Sequence, residues 1–269
     1  MDNIETDLII HGDNVETMKG FPEESIDLVV TSPPYDNLRT YGGHTWDFEG
    51  VAQQLWRVIK PGGVVVWVVA DATVDGSETG TSFRQALRFK EIGFRLHDTM
   101  IYHTEKMPLT HNRYEQEFEY MFVLSKGRPY AFNPIKVKTK RSGDKIHYGS
   151  RPGSIRASAS ENSAMRHRPE INVVKDEKQY SNVWFVPSNF NKTTKDVVAY
   201  QHPAIFPEAL ARDHILSWSN EGDIVLDPFS GSGTTAKMAK HNGRRFIGIE
   251  VNKKYVEISE KRLAQKVLF

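Results

Sequence analysis

The sequence contains no cysteine and no long apolar run, and each absence excludes a class of protein. Without cysteine there is no disulfide, no thiolate zinc site and no cysteine nucleophile. The longest apolar run, residues 64–70, has seven residues, whereas a membrane-spanning helix needs about 18 or more. The chain begins with the acidic, polar stretch MDNIETD, so we expect no signal peptide and a cytoplasmic protein. Its 269 residues, 26% of them charged, suit an ordinary globular protein of one or two domains.

Acidic residues are scarce in one segment, residues 136–168, which holds nine Lys or Arg and only two Asp or Glu. The rest of the chain is net acidic, so the overall charge of +1 conceals an asymmetry. A basic block on an acidic body is the expected footprint of a segment that binds a polyanion. A solvated, flexible loop is the alternative, because runs of like charge are usually exposed. The histidines show no tight ligand spacing, so we expect no metal site.

Short apolar runs alternate with helical patterns along most of the chain. Continuous apolar runs predict strands that are covered on both faces, as in parallel sheets. The predicted strands are residues 7–11, 25–31, 64–70, 98–103, 118–125, 223–226 and 245–249, with the fourth and fifth as a candidate pair. The predicted helices are residues 50–59, 82–92, 207–219, 234–242 and 253–266. This alternation predicts a doubly wound α/β sheet, interrupted by an irregular basic insertion.

A glycine-rich turn follows the predicted strand at residues 223–226. Gly231 and Gly233 permit a tight turn and let a ligand approach the backbone closely. The next strand ends at Glu250, where a Rossmann-like unit places the acid that binds ribose hydroxyls. Because there is no P-loop lysine and no third glycine, a nucleoside without a pyrophosphate fits best, and S-adenosylmethionine (AdoMet) is the obvious candidate. A turn without a ligand is the alternative.

A second motif, Thr31-Ser-Pro-Pro-Tyr35, directly follows an apolar strand, where ligands of open α/β sheets bind. Pro33 and Pro34 have no backbone N–H, so the main chain here offers only hydrogen-bond acceptors, which are the carbonyls of Ser32 and Pro33. The Ser32 hydroxyl and the Tyr35 ring complete a place for a flat group that carries an amine. A simple turn at the end of the strand is the alternative.

The two motifs together resemble the signature of the DNA amino-methyltransferases, in which (Asp/Asn/Ser)-Pro-Pro-(Tyr/Phe) occurs with Phe-x-Gly-x-Gly. Here they are Ser32-Pro-Pro-Tyr35 and Phe229-Ser-Gly-Ser-Gly233. Their order, with the AdoMet loop last, resembles the β subgroup. It implies a circularly permuted, Rossmann-like AdoMet-dependent methyltransferase sheet with an inserted basic target-recognition region. The implied divisions are residues 1–126 and 200–269 as one domain and residues 127–199 as the inserted region.

The resemblance also implies roles for individual residues. Ser32, Pro33, Pro34 and Tyr35 would be catalytic. Asp13 would meet the adenine amine, Glu250 the ribose hydroxyls, and residues 227–233 the methionine end of AdoMet, with help from residues 201–207. The implied cofactor-binding residues are Asp13, Thr31, His202, Phe206, Asp227, Pro228, Phe229, Ser230, Gly231, Ser232, Gly233, Thr234 and Glu250. The expected DNA-binding residues are Arg39, Lys138, Lys140, Arg141, Lys145, Arg151, Arg156, Arg166 and Arg168.

Such an enzyme acts on double-stranded DNA, and an amine in a duplex is reached only after the base is flipped out. Within the family, Ser-Pro-Pro-Tyr usually goes with the N4 amine of cytosine, so we expect that target, with the N6 amine of adenine as the alternative. Methylation of RNA or of a protein glutamine fits the motif order less well, and a catalytically silent DNA-binding protein is a further rival. The resemblance also allows a homodimer and a cognate restriction endonuclease as partners.

Overall fold

A computed structural model describes residues 4–35, 46–104, 114–140, 142–143, 145–147, 171–173, 175–187 and 193–265. The strands are β1 Leu8–His11, β2 Ile26–Thr31, β3 Ile59–Val69, β4 Thr73–Val74, β5 Ser77–Glu78, β6 Arg95–His103, β7 Phe118–Ser125, β8 Lys136–Lys138, β9 Lys145–His147, β10 Ile171–Val173, β11 Glu177–Gln179, β12 Val183–Phe185, β13 Ile224–Asp227 and β14 Arg245–Glu250. The helices are α1 Asn14–Lys19, α2 Phe48–Val58, α3 Thr81–Ile92, α4 Glu208–Trp218, α5 Thr234–His241 and α6 Lys253–Leu263, with a 3₁₀ helix at Val197–Gln201. No helix in these ranges is long and apolar enough to cross a membrane.

Eight strands form one sheet in the order β1-β14-β13-β2-β3-β7-β6-β12. The first five run parallel to one another, β7 is antiparallel to both of its neighbours, and β12 is parallel to β6. The predicted pairing of residues 98–103 with 118–125 is confirmed as part of the β6–β7 ladder. Strands β13, β14 and β1 are consecutive in the sheet although β1 lies at the other end of the chain. The predicted permuted, Rossmann-like α/β fold is therefore confirmed.

The central strands form the core because they are covered on both faces. Every residue of β2 is buried, and the side chain of Trp67 in β3 is completely enclosed. Helix α2 contributes one apolar face to this core, through Val51, Leu55 and Val58. Burial of an aliphatic side chain of this kind contributes about 1.5–3 kcal/mol. The buried core therefore fixes where strands β2, β3 and β13 end.

Strand β3 begins earlier than the sequence predicts. The predicted helix ends at residue 59 and the predicted strand begins at residue 64, but β3 runs from Ile59 to Val69 and includes Pro61-Gly62-Gly63. Its register against β2 shifts between Ile26 and Leu28. Gly62 has a left-handed φ of 80°, its N–H bonds to the Lys126 carbonyl, and its own carbonyl accepts the Tyr130 N–H. Partners more than 60 residues away therefore satisfy the backbone where local sequence indicates a break.

The chain divides into two compact units, one made of Met1–Asn133 with Asn182–Phe269 and one made of Pro134–Ser181. The smaller unit contains the antiparallel pairs β8–β11 and β9–β10. It is shorter than the predicted insertion, because β12 joins the large sheet beside β6. Asn133 and Asn182 are both fixed within the larger unit: the Asn133 N–H donates to the Ser217 carbonyl, and the Asn182 carbonyl accepts the Ile101 N–H, each over 2.8 Å.

Candidate active site

A cavity of about 760 Å³ opens at the carboxyl ends of the parallel strands. It is lined by the segments that follow β1, β2, β3, β13 and β14. From β13 the chain proceeds outward through β14, and from β2 it proceeds through β3 in the opposite direction. The pair β13–β2 is therefore the switch point of the sheet, where open α/β folds bind their ligands.

One hydrogen bond joins the two sequence motifs at this switch point. The Thr31 hydroxyl at the end of β2 donates to Asp227 Oδ1 at the end of β13 over 2.7 Å, and both residues are buried. Burial raises the pKa of the Asp227 carboxyl to about 6, and the nearby charge of Glu250 also raises it. Hydrogen bonds from Thr31, Phe229 and Thr235 lower this pKa but do not outweigh burial. This carboxyl therefore changes its protonation state near pH 6, well above the range of an ordinary aspartate.

The wall of the cavity formed by Asp13, residues 227–234 and Glu250, here called the glycine wall, is held by bonds to its own backbone. Glu250 accepts the Gly231 N–H on Oε2 and the Asn252 N–H on Oε1, each over 2.8 Å. Gly233 has a φ of 75°, and a Cβ there would lie 2.8 Å from Cβ of Ser259. A side chain at this position would therefore clash as well as strain the turn.

Behind this wall, a buried ionic cluster fixes the turn from below. The guanidinium of Arg262 is completely buried and donates to the Ser232 carbonyl over 2.7 Å and to the Thr234 hydroxyl over 2.9 Å. It also forms ion pairs with the carboxylates of Asp196 and Glu208. Lys237 Nζ pairs with the same two carboxylates, over 2.6 Å to Asp196 and 2.8 Å to Glu208. Burial alone would raise the pKa of Asp196, but hydrogen bonds from Lys237 and Arg262 outweigh it and hold that pKa below its usual value.

The opposite wall, here called the tyrosine wall, consists of residues 32–35, Thr104 and Glu119. The Tyr35 hydroxyl donates to Glu119 Oε2 over 2.8 Å and lies 2.8 Å from Ser32 Oγ. Thr104 is buried, and its hydroxyl has no hydrogen-bond partner among the residues that the structure describes. Side chains therefore hold this wall mainly through one another.

The structure brings most of the predicted residues together in one cavity. Ser32, Pro33, Pro34 and Tyr35 all line it, as do eleven of the predicted cofactor-binding residues, Asp13, His202, Phe206, Asp227, Pro228, Phe229, Ser230, Gly231, Ser232, Thr234 and Glu250. The other two, Thr31 and Gly233, support the lining from behind. Asp13 has a further task, since its carboxylate caps α1 by accepting the Glu16 N–H over 3.0 Å.

The expected DNA-binding residues fall mostly outside the described ranges. Lys138 and Lys140 are exposed at β8, and Lys145 lies in β9. The others, Arg39, Arg141, Arg151, Arg156, Arg166 and Arg168, lie outside the described residues.

Sequence reasoning missed several lining residues, of which Glu119 and Asp71 carry charge. Asp71 follows β3 directly, so the rule that ligands bind beyond strand ends could have found it. It accepts the Ser82 N–H over 2.8 Å at the start of α3. Glu119 is the only charged residue in β7, an otherwise apolar strand except for Ser125, and this interruption was the available signal.

The lining is acidic. Asp13, Asp71, Glu119, Asp227 and Glu250 face the cavity, and no lysine or arginine lines it within the described ranges. A phosphate-bearing ligand would be repelled, whereas a cationic nucleoside would be attracted. Gly231 adds a cradle, because a Cβ there would lie 3.1 Å from His202 Nε2. These residues fit AdoMet, which combines an adenosine with a sulfonium and an ammonium group.

The family model for DNA methylases of the N6/N4 type matches residues 26–261. The chain is also 54% identical over 246 residues to the orphan methyltransferase M.BamHII of Bacillus amyloliquefaciens, covering 91% of each chain. The chain belongs to this family of DNA methylases, and its cofactor is AdoMet. A second relative of the methylase is the DNA adenine methyltransferase YhdJ of Escherichia coli (strain K12), 31% identical over 96% of this chain and 83% of the other.

Solved structures share the fold of the methylase. The putative DNA modification methylase TTHA0409 from Thermus thermophilus, in complex with AdoMet, aligns with a TM-score of 0.62 at 26% identity, over 96% of this chain and 93% of that one. The cytosine-N4-specific PvuII DNA methyltransferase aligns with a TM-score of 0.66 at 22% identity, over 97% and 87%.

Proposed function

We propose that this methylase transfers a methyl group from AdoMet to the N4 amine of a cytosine that is flipped out of double-stranded DNA. One observation carries the proposal: the Ser32–Tyr35 loop and the Asp227–Gly233 loop face a single cavity, joined by the Thr31–Asp227 bond of 2.7 Å. An amine held by the first loop would meet a methyl donor held by the second.

The glycine wall would hold the cofactor, which supplies an electrophilic methyl group when bound. Glu250 would take the ribose hydroxyls, because its carboxylate lines the cavity and a carboxylate accepts hydrogen bonds on both oxygens. Asp13 would accept from the adenine amine. The turn at residues 227–233 would surround the methionine end, with the Asp227 carboxylate favouring the ammonium group.

The tyrosine wall would hold the target base. Flipping a base costs about a few kcal/mol, and stacking on Tyr35 would return about 1–3 kcal/mol. Acceptors at Ser32 and Pro33 would take the amine N–H groups and turn the nitrogen lone pair towards the methyl group. That lone pair would form the N–C bond while the electron pair of the S–C bond stays on sulfur, and the one N–H proton that the methylated amine then loses would pass to solvent. No covalent enzyme intermediate is needed, which suits a chain without cysteine.

The choice of cytosine rests on the motif. Ser32 occupies the first position, and serine there usually accompanies the N4 amine. The shared fold with the cytosine-N4-specific PvuII enzyme agrees with this choice. Adenine N6 is the second candidate, because YhdJ, an adenine methyltransferase, is 31% identical. Both bases present an amine beside a ring nitrogen, so the serine does not discriminate by itself.

The basic segment at residues 136–168 would bind the DNA backbone and read the target sequence. Lys138 and Lys140, which are exposed, suit phosphate contacts. If this segment proved to be only a solvated loop, residues 39–44 or 106–113, which lie outside the described residues, would be the next candidates. A homodimer and a cognate restriction endonuclease stay predictions.

The decisive experiment identifies the modified nucleoside. The methylase is incubated with AdoMet labelled in its methyl group and with unmethylated duplex DNA of mixed sequence, and the DNA is digested to nucleosides. We expect label in N4-methylcytosine. Ser32→Ala should remove the label, and Ser77→Ala, which alters an exposed serine in β5, should not.

Each other product would contradict a different part of the proposal. N6-methyladenine would overturn the choice of base, and 5-methylcytosine would overturn transfer to an amine. In parallel incubations with RNA or protein in place of DNA, label there but not in DNA would overturn the proposed substrate. AdoMet binding without transfer to any of these would favour a silent DNA-binding protein.

A further inference from the structure

Glu119 lies on the tyrosine wall but comes from a different part of the chain than the Ser-Pro-Pro-Tyr motif. It sits in β7 opposite Tyr102 of β6, at the end of the ladder that borders the cavity. Its Oε2 accepts the Tyr35 hydroxyl over 2.8 Å, and the oxygen of that hydroxyl lies 2.8 Å from Ser32 Oγ. The three side chains therefore form a continuous hydrogen-bonded row.

A count of protons gives this row a direction. An ionised carboxylate has no proton to donate, so Tyr35 must use its one hydroxyl proton on Glu119. The Tyr35 oxygen can then only accept from Ser32, which uses the single proton of its own hydroxyl. Ser32 Oγ is left with lone pairs and can meet a ligand only as an acceptor. Glu119 therefore fixes the direction of the hydrogen bond between the hydroxyls of Tyr35 and Ser32.

We propose that Glu119 is a positioning residue for methyl transfer, which acts through Tyr35 to fix Ser32 Oγ as a hydrogen-bond acceptor for the target amine. This inference rests on the proposed function, in which Ser32 accepts an N–H of that amine. An amine whose N–H points at Ser32 keeps its lone pair free for attack, whereas a serine that donates would compete for the lone pair. Since the bond from Tyr35 is charge-assisted, it is stronger than a neutral one.

A second observation places this row in a ligand site. Thr104 lines the same wall with a buried hydroxyl that has no partner within the described part of the chain. A buried hydroxyl without a partner is costly, and a ligand with polar edges would satisfy it. On the tyrosine wall, the polar groups of Ser32, Tyr35 and Glu119 therefore bind one another, and the Thr104 hydroxyl can bind a ligand. This is expected where a base is bound and released.

The test is a double-mutant cycle between Glu119 and Tyr35, read by single-turnover methyl transfer to DNA. Glu119→Ala removes the carboxylate, and Tyr35→Phe keeps the ring but removes the hydroxyl. We expect each to slow transfer about tenfold, and the double variant to be no slower than either single one, because both break the same row. Glu119→Gln should retain more activity than Glu119→Ala, because its amide oxygen can still accept from Tyr35.

The affinity for AdoMet and the melting temperature should stay at their wild-type values in all four variants, with kcat reduced and the KM for DNA unchanged. Glu117→Ala is the matched control, since that carboxylate lies two residues away and pairs with His103 over 3.4 Å instead. It should transfer methyl groups at the wild-type rate.

Three results would overturn the inference. Additive losses in the double variant would mean that Glu119 touches the base directly. An unchanged rate in Glu119→Ala would exclude any part in transfer, and a lowered melting temperature in both Glu119 variants would mean a structural role. Failure of the proposed function is separate, because nucleoside analysis with wild-type protein would then show no N4-methylcytosine before any variant is compared.

Discussion

The two walls of the cavity are built in different ways. On the glycine wall, Glu250 accepts backbone N–H groups, and the buried guanidinium of Arg262 holds the turn from behind. On the tyrosine wall, Ser32, Tyr35 and Glu119 bind one another through side-chain hydroxyl and carboxylate groups. Backbone-anchored groups stay in place whether or not a ligand is present, whereas side-chain bonds can be exchanged for bonds to a ligand. If the glycine wall holds the cofactor and the tyrosine wall holds the base, as proposed, the first is preformed and the second can rearrange around a base that enters and leaves.

The largest effect is expected where the preformed wall has no room to adapt. Gly233→Ala should weaken AdoMet binding by more than about 100-fold, because the turn must move to relieve both a left-handed φ and the contact with Ser259. Isothermal titration calorimetry measures this AdoMet affinity. Gly76→Ala is the control, since φ is 77° there but nothing lies within 4 Å. Equal AdoMet affinities in the two variants would contradict a rigid wall.

Tyr35→Ala should impair only the function of the tyrosine wall. We expect single-turnover transfer to fall by up to about 100-fold, as the loss of base stacking implies, while AdoMet affinity stays unchanged. Tyr35→Phe, which keeps the ring, should lose much less. A Tyr35→Ala variant that no longer binds AdoMet would show that the two walls are not independent.

Glu250→Gln should weaken AdoMet binding about tenfold, because the amide keeps one oxygen acceptor but loses the charge that strengthens the bonds to Gly231 and to the ribose. DNA affinity, measured by fluorescence anisotropy, should not change. Glu257→Gln alters an exposed carboxylate on α6 and serves as the control. Unaltered AdoMet affinity in Glu250→Gln would mean that Glu250 does not bind the ribose hydroxyls.

The pKa of Asp227 predicts a pH dependence confined to the glycine wall. Burial raises this pKa to about 6, so the carboxyl is mostly protonated below pH 6 and ionised above it. A cationic ligand favours the ionised form, so AdoMet affinity should fall as pH drops through about 6, by at most about tenfold per pH unit. Calorimetry in buffers of different ionisation enthalpy should detect proton release on binding near pH 6.

Asp227→Asn should flatten that profile, and Asp75→Asn, at an exposed turn, should leave it unchanged. A profile that persists in Asp227→Asn would assign the titration to another group.

The smallest effects are expected from single residues of the basic segment. Lys138→Ala and Lys140→Ala should each make the negative slope of log K against log salt shallower by about 0.9, if each lysine contacts one phosphate. Lys90→Ala, exposed on α3, is the control. Neutralising all the basic residues between 136 and 168 without any change in DNA affinity or salt dependence would leave the segment a solvated loop.

The sequence predicted the glycine wall better than the tyrosine wall, for a physical reason. The glycine wall is formed by strand ends and a turn whose chemistry is local, so all of its glycines and acids except Asp13 lie in the single stretch 227–250. Glu119 lies 84 residues from Tyr35, and only the antiparallel placement of β7 brings the two together. The start of β3 was missed for the same reason, because the partners of Gly62 lie beyond residue 125. Helix α1 was missed because its six residues are too few for a periodic pattern.

The anchoring of Asn133 and Asn182 has a consequence for how enzymes of this design could acquire new target sequences. These two residues of the larger unit, between which the smaller unit is inserted, are each fixed by a hydrogen bond within the larger unit. The entropy of closing a loop between fixed ends grows only slowly, by about 0.6 kcal/mol for each doubling of length. Insertions and deletions between these two asparagines are therefore cheap in folding free energy, and they leave the switch point between β2 and β13 unmoved. If the smaller unit reads the target sequence, as proposed, such changes would alter the DNA sequence that is recognised while the residues of the cavity stay the same.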